Sequence, residues 1–141
     1  MNRHPYTPHG PGFQFIDHLT ILEPGKKVKT KKWLDPQLSF FKDHFPGEPL
    51  MPAVLMIEAA AQAAGAVWGS MLDESAAPER YIVARILQFS FKEPVYPNQT
   101  LEIEATLDRN FGTLGQFSVQ IFVANEIVAQ GVVVMSRVLK Q

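Results

Sequence analysis

The sequence predicts an α+β domain in which one curved antiparallel sheet wraps around a single buried helix. From Met51 to Leu72 the chain is apolar on nearly every side of a helix, and Glu58 is the only charged residue. After Tyr81 the chain becomes strongly β, and Leu101–Asp108 alternates between apolar and polar side chains. A helix of this kind must be covered on most sides, and a curved sheet can do that. The sheet edges that remain free predict a dimer.

Two strands and a short irregular or helical piece are predicted before the helix. Pro24-Gly25 is a turn signal between the strands, and Asp35-Pro36 begins the irregular piece. The predicted bounds are Phe13–Glu23 and Lys26–Leu34 for the strands, Asp35–Phe41 for the irregular piece and Asp43–Pro52 for a proline-rich loop.

The helix is predicted at Ala53–Leu72, because Pro52 suits a helix start and a polar loop follows at Asp73–Arg80. Gly65 and Gly69 lower the helix propensity, which predicts close packing against another element. The strands that follow are predicted at Tyr81–Lys92, Leu101–Asp108, Phe117–Ala124 and Ile127–Val138, with turns at Pro94–Asn98, Asn110–Gly115 and Asn125-Glu126.

Length and composition indicate one globular domain over residues 1–141, in which the first 12 residues form a loose segment that is not a signal peptide. The formal net charge of −1 argues against nucleic acid or an anionic membrane as a partner. The absence of cysteine excludes disulfides and thiolate chemistry and fits a cytoplasmic location. The helix is rich in alanine and glycine and contains Gln62 and Ser70, so we expect no membrane span.

Other polar groups are interpreted as structural. The three histidines outside the proline-rich loop lack the spacing of metal ligands, so no metal site is expected. Lys27, Lys29 and Lys31 fall on one face of a strand, and we interpret this stripe as a solvated face. A dock for an acidic partner is the alternative.

The candidates for acid–base chemistry are His44 and Glu58, which are joined by a stiff segment with three prolines and a glycine. His44 could be a structural turn residue, but a neutral imidazole can also accept a proton near physiological pH. Glu58 could be a buried carboxyl that is bonded to Gln62 one turn on. Alternatively, burial favours the neutral acid, which can donate a proton. We favour the functional interpretation, because the helix offers this carboxyl no counter-charge.

The start of the helix is the third part of the predicted site. The backbone N–H groups of Ala53, Val54 and Leu55 have no intrahelical acceptors, and together with the helix dipole they could stabilise an oxyanion. Every helix has such a terminus, so this feature gains weight only from the base and the acid on either side.

The run from His44 to Gln62, HFPGEPLMPAVLMIEAAAQ, resembles the signature of the β-hydroxyacyl-acyl carrier protein dehydratases of the FabZ type. The run from Phe89 to Pro97, FSFKEPVYP, is similar to the second characteristic stretch of that family. The resemblance implies the hotdog fold, a sheet wrapped around one central helix. It also implies a homodimer or a trimer of dimers, in which the histidine of one protomer lies beside the carboxylate of the other.

The resemblance also implies an activity, the loss of water from (3R)-3-hydroxyacyl thioesters in fatty acid or related acyl or polyene biosynthesis. The substrate is carried on the phosphopantetheine arm of an acyl carrier protein, and no other cofactor is implied. His44 would remove a C2 proton, Glu58 would protonate the departing 3-hydroxyl, and an N–H near Ala53 would polarise the thioester carbonyl. Glutamate at the acid position implies dehydration without isomerisation. The other positions expected to contact substrate are Phe45, Pro52, Val54 and Gln62.

Three departures from the family pattern keep other functions open. The family usually has glycine at the positions of Asp43 and Ala53, and Gly-Asp where this chain has Asn98-Gln99. A β-carbon at Ala53 could narrow the thioester slot. The alternatives are therefore a non-catalytic hotdog subunit that binds the acyl group or carrier protein, and a hotdog thioesterase that would release free thiol without an enoyl product.

Overall fold

The computed structural model describes residues 14–43, 49–71 and 80–138. His44 and the remainder of its loop up to residue 48 lie outside these ranges. The described residues form six strands and two helices, which are β1 (His18–Glu23), β2 (Lys27–Trp33), α1 (Ser39–Asp43), α2 (Ala53–Gly69), β3 (Arg80–Phe91), β4 (Thr100–Phe111), β5 (Leu114–Val123) and β6 (Glu126–Val138).

The six strands make one antiparallel sheet in the order β1-β2-β4-β5-β6-β3. The connection through α1 and α2 therefore carries the chain from β2 to the opposite edge of the sheet, where β3 lies. The helix α2 packs on the inner face of the sheet, mostly against β4 and β2. This architecture confirms the predicted hotdog fold.

The helix α2 is buried because the strands under it alternate as predicted. On β4 the side chains of Leu101, Ile103, Ala105 and Leu107 face inward and are buried. All α2 residues from Ala59 to Gly69 are buried, and most of them are small, so the helix approaches the sheet closely. In the part of the chain that the structure describes, no helix is long and apolar enough to cross a bilayer.

The far end of α2 is held by an aromatic cluster around Trp68. Its indole N–H donates to Asn110 Oδ1 at 3.1 Å, and the guanidinium of Arg137 stacks 4.3 Å above the ring. Gly115 leaves room for this ring, since a β-carbon there would lie 2.3 Å from Trp68 Cζ2. A β-carbon at Gly65 would similarly lie 3.0 Å from the ring of Tyr81, which confirms close packing at one of the two helix glycines.

The first strand is shorter than predicted and begins at His18 rather than at Phe13. The described residues before it, 14–17, belong to no strand, and the Phe15 N–H donates to the side chain of Gln62 on α2. Phe15 and Ile16 are buried, so this segment is part of the core and is tied to α2 through Gln62.

The helix α2 is also shorter than predicted, because it ends at Gly69 instead of Leu72. The hydroxyl of Ser70 donates to the carbonyl of Val67 at 2.6 Å and accepts the N–H of Gly25 at 2.8 Å. The first bond satisfies a carbonyl at the helix end, and the second ties that end to the turn between β1 and β2.

Two hairpin turns differ from the prediction: the turn between β4 and β5 is shorter, and the turn between β5 and β6 lies earlier in the chain. The predicted turn at Asn110–Gly115 is shorter, because β4 and β5 extend to flank a turn that contains Gly112 at a φ of +65°. The last turn uses Ala124 and Asn125, with φ values of 51° and 66°, and so lies one residue earlier than predicted. Two consecutive left-handed residues match the twist of a two-residue hairpin.

The lysine stripe on β2 is part of an ion-pair ladder on the outer face of the sheet. Lys27 lies 3.8 Å from Glu104, and Lys29 and Lys31 lie 3.8 Å and 3.3 Å from Glu102. The lysine side chains remain at least one-third exposed, which agrees with a solvated face. The pairing offsets much of the positive charge and so weakens the alternative of a dock for an acidic partner.

Thr30 carries a buried hydroxyl that has no hydrogen-bond partner in the described part of the chain. It lies on β2 and is 1% exposed. Because a buried polar group without a partner is costly, we expect Thr30→Val to raise the free energy of unfolding by about 1 kcal/mol. Urea unfolding at one fixed protein concentration measures this, with Thr20→Val on exposed β1 as the control that should change little. A loss of stability in Thr30→Val alone would contradict the expectation.

Candidate active site

The segment before α2 is fixed by one backbone hydrogen bond to the chain after β3. The N–H of Met51 donates to the carbonyl of Val95 at 2.7 Å. Both side chains are buried, at 2% and 0% exposure, so water does not compete for this bond. The bond places the start of α2 against the Pro94-Val95 segment, which joins the two stretches of sequence that resemble the dehydratase family.

The first turn of α2 is exposed, although the sequence predicts an almost wholly buried helix. Pro52 is the N-cap, and its carbonyl accepts the N–H groups of Leu55 at 3.0 Å and Met56 at 3.2 Å. The side chain of Pro52 has no acceptor and cannot cap the helix. Among the described residues no other group accepts the N–H of Ala53 or of Val54. Val54 is 71% exposed. Both donors lie at the positive end of the helix dipole, which favours negative charge nearby.

Glu58 is half-buried on α2, and its carboxyl is held by a side chain one turn further along. Gln62 Nε2 donates to Glu58 Oε2 at 3.0 Å, and Gln62 Oε1 accepts the N–H of Phe15 at 2.8 Å. Gln62 itself is only 5% exposed. The carboxyl of Glu58 is therefore linked through Gln62 to the backbone before β1.

Of the predicted site residues, five lie at the N-cap or in the first three turns of α2: Pro52, Ala53, Val54, Glu58 and Gln62. The structure shows a side-chain contact between two of them, Glu58 and Gln62. The remaining predicted site residues, His44 and Phe45, lie outside the described residues, so their roles stay predictions. Within the described ranges, no three histidine, aspartate or glutamate side chains cluster so as to hold a metal ion.

Sequence reasoning missed two groups of this site, the N–H of Phe15 and the carbonyl of Val95. Both are backbone groups, and their residues have apolar side chains that indicate only a core position. Val95 lies inside the second stretch that resembles the family, so the sequence indicated this segment but not the hydrogen bond of its carbonyl. No feature of the sequence around Phe15 indicates a contact with Gln62, because 47 positions separate the two residues.

One curved antiparallel sheet wrapped around one central helix defines the class of hotdog proteins. The chain belongs to the FabA-like domain family, whose family model matches residues 7–132. The match covers both stretches that carry the predicted resemblance and therefore confirms it.

The relatives in sequence are named as 3-hydroxyacyl-[acyl-carrier-protein] dehydratases FabZ. The protein from Polynucleobacter necessarius is 37% identical over 87% of this chain and 81% of its own length. The protein from Roseiflexus castenholzii is 36% identical over 88% of this chain and 85% of its own. The Escherichia coli protein is 31% identical over 92% of this chain and 86% of its own. The similarity therefore spans most of this chain and most of each relative.

Solved structures support the fold. The dehydratase heterocomplex ApeI:P from Xenorhabdus doucetiae superposes with a TM-score of 0.81 at 16% identity, covering 96% of this chain and 90% of that one. A mutant of the fluoroacetyl-CoA-specific thioesterase FlK superposes with a TM-score of 0.67 at 13% identity, covering 83% and 88%. The TM-scores show that the hotdog fold is shared. The sequence identities are too low to discriminate between dehydratase and thioesterase chemistry.

Proposed function

We propose that this protein is a dehydratase that converts (3R)-3-hydroxyacyl-acyl carrier protein to trans-2-enoyl-acyl carrier protein in fatty acid or related acyl biosynthesis. The proposal rests on membership of the FabA-like family and on the named activity of the full-length relatives. The substrate would arrive on the phosphopantetheine arm of the carrier protein. His44 and Glu58 would supply the base and the acid, so we propose no cofactor besides that arm, and we propose that the protein acts in the cytoplasm.

In the proposed reaction His44 removes a proton from C2, and the electron pair of that C–H bond forms the C2=C3 double bond. The C3–O bond breaks, and Glu58 gives its proton to the leaving hydroxyl, so that water departs. The N–H groups of Ala53 and Val54 would donate hydrogen bonds to the thioester oxygen and so stabilise the negative charge that develops on it. Proton return from His44 to Glu58 would restore the starting state.

The observation that carries these roles is the position of Glu58 relative to the start of α2. Five residues separate Glu58 from Ala53 on one helix, which is an axial rise of about 7.5 Å. We propose that a thioester oxygen bound at the N–H groups of Ala53 and Val54 is accompanied by a C3 hydroxyl near a Glu58 carboxyl. Glutamate at this position further supports dehydration without isomerisation.

The wild-type protein tests the proposed reaction directly. Purified protein is mixed with 3-hydroxyacyl and trans-2-enoyl thioesters of several chain lengths, on carrier protein and on a pantetheine mimic. The proposal expects interconversion, seen as a gain or loss of enoyl absorbance, without free thiol. Free thiol without an enoyl product would establish a thioesterase instead. Tight binding of acyl carrier protein without any turnover would indicate a binding subunit.

The proposed assembly is a homodimer that pairs the edge strand β3 with the β3 of a second copy. β3 is twelve residues long, and a long uncovered edge is a template for another strand. Ile82, Val83, Ile86 and Phe91 on this strand are 52%, 38%, 45% and 40% exposed. Pairing two copies would cover these side chains and would bring the helix sites of the two protomers to a shared interface.

The paired substitution Ile82→Lys with Ile86→Lys is expected to weaken the dimer at least about 100-fold, because each lysine enters the symmetric interface twice. Ile82 pairs with Ser136 and Ile86 pairs with Val133 on β6. These β6 partners are three positions apart, so Ile82 and Ile86 lie on opposite faces of the sheet, and the double substitution tests both faces of β3. Sedimentation velocity over a range of concentrations measures the change. The matched control is Ile21→Lys with Leu22→Lys on the other edge, at 39% and 50% exposure. Monomers in the control, with intact dimers in the β3 variant, would refute this interface.

A further inference from the structure

We propose that Tyr96 is a specificity-determining residue whose ring contacts the pantetheine arm of the thioester substrate. The inference deepens the proposed dehydration and rests on it for the identity of the ligand. It gives a role to the turn between β3 and β4, which carries one of the three departures from the family pattern, Asn98-Gln99.

This turn is held by backbone hydrogen bonds on two sides. On one side the carbonyl of Val95 accepts the N–H of Met51 at 2.7 Å, directly before α2. On the other side the N–H of Asn98 donates to the carbonyl of Leu34 at 2.8 Å, and the N–H of Leu34 donates to the carbonyl of Gln99 at 2.9 Å. Val95 and Leu34 are fully buried. The turn therefore has a fixed position between the end of β2 and the start of α2.

The main chain of Tyr96 is fixed within the turn as well. Its N–H donates to the side-chain oxygen of Gln99, Oε1, at 2.8 Å. Pro97 restricts the residue before it to an extended backbone. Asn98 has a φ of 67°, a left-handed conformation that asparagine tolerates better than most residues. Asn98-Gln99 thus retain a tight turn with a side-chain acceptor, and this turn fixes the direction in which the Tyr96 side chain leaves the backbone.

Tyr96 lies on the exposed side of the turn. Val95 is 0% exposed and Tyr96 is 46% exposed, as expected for successive side chains that alternate along an extended backbone. A rigidly held aromatic ring that is exposed on a loop is typical of a binding residue rather than of a core residue. Its ring can contact apolar groups while its hydroxyl bonds to polar ones.

The arm of a bound substrate would pass on this exposed side. In the proposed reaction the thioester oxygen lies at the N–H groups of Ala53 and Val54, and the sulfur that begins the arm is bonded to the same carbon. Ala53 follows Met51 by two residues, about 7.6 Å of chain, and Met51 is bonded to the residue before Tyr96. The acyl group favours the apolar interior, so the arm, which leads out to the carrier protein, remains on the solvent side with Tyr96.

Tyr96→Ala is expected to raise KM for a 3-hydroxyacyl thioester of pantetheine about 10-fold, while kcat stays within about threefold of wild type. The S-ethyl thioester of the same acyl group has no arm, so its kcat/KM should change less than about twofold. A merely structural loss would affect both substrates alike. Tyr96→Phe keeps the ring and should stay within about threefold of wild type in KM; a loss equal to that of Tyr96→Ala would overturn the contact through the ring.

Trp33→Ala is the matched control. Trp33 is an aromatic residue of similar exposure, 49%, and it precedes Leu34, which bonds to the same turn. Because side chains alternate along β2, Trp33 shares the outer face of the sheet with Lys31, away from α2. Trp33→Ala should therefore leave KM for the pantetheine thioester within about twofold of wild type.

A second readout does not depend on turnover. S-propyl-pantetheine, an unreactive thioether, is titrated into the protein in a calorimeter, and Tyr96→Ala should raise its Kd about 10-fold while Trp33→Ala leaves it unchanged. If wild type dehydrates no substrate but binds the thioether in this Tyr96-dependent way, the proposed function fails and the contact stands. If wild type is active and Tyr96→Ala changes both thioesters equally or neither, the contact is overturned. A wild-type protein that neither turns over nor binds the thioether would overturn both.

Discussion

Glu58→Gln is expected to lower the kcat of dehydration by about 10²- to 10⁴-fold, with little change in KM or in the stability of the fold. The glutamine oxygen can still accept the hydrogen bond from Gln62 Nε2, so the side chain should keep its position. What it lacks is an acidic proton for the departing hydroxyl. Steady-state kinetics in both directions on one 3-hydroxyacyl and one enoyl thioester measure the loss.

The control for this substitution is Glu102→Gln on the outer face of β4. It makes the same chemical change at a residue that pairs with Lys29 and Lys31, away from the helix, and it should leave kcat unchanged. His44→Ala should produce a loss of the same order as Glu58→Gln, because acid and base act on one reaction. Near-normal dehydration by Glu58→Gln would remove this residue from the mechanism and would leave the family assignment intact.

Gly131→Ala is expected to be the most destabilising single-methyl addition in the described part of the chain, by about 3 kcal/mol. A β-carbon at Gly131 would lie 2.4 Å from Phe89 Cδ2 and 2.7 Å from the backbone Cα of Phe89. This close approach arises because β3 is irregular between Leu87 and Ser90, where Gln88 takes a φ of 51°. The strand would have to move away from β6, since a rotation of the Phe89 ring alone leaves the clash with Cα.

Thermal and urea unfolding at one fixed protomer concentration measure this loss, because dimerisation through β3 would itself contribute to the apparent stability. Gly65→Ala is the comparison, since its β-carbon would meet only a side-chain atom of Tyr81 at 3.0 Å. A smaller loss in Gly131→Ala than in Gly65→Ala would show that β3 adapts more freely at Phe89 than its geometry indicates.

The sequence was sufficient for the order and type of the six strands and of α2 because the hydrophobic patterns were strong, whereas α1 was predicted only as an irregular or helical piece. The alternation at Leu101–Asp108 predicts a strand with one solvent-exposed face. The apolar run after Met51 predicts a helix that other elements must cover. The ends were less predictable. β1 begins late because Phe15 bonds to a helix side chain, and α2 stops early because Ser70 bonds across to Gly25, and neither contact has a local signature.

Of the candidate site, the structure shows one predicted contact, that between Glu58 and Gln62, and the roles of the site residues stay predictions. Glu58 and Gln62 stand at i and i+4 on one helix, so their contact follows from helical geometry. The direction of the Gln62 amide does not, because it depends on a backbone N–H from a distant segment. The sequence did not predict the exposure of Val54, because a valine within an apolar helix is expected to be buried.

The hydrogen bond between Met51 and Val95 has a consequence for recombination among related genes. It joins two stretches of chain that are separated in sequence by the whole of α2 and β3. A chimera whose crossover falls between them would combine a helix start from one parent with a supporting segment from another. Crossovers outside residues 44–97 should thus yield active hybrids more often than crossovers within them.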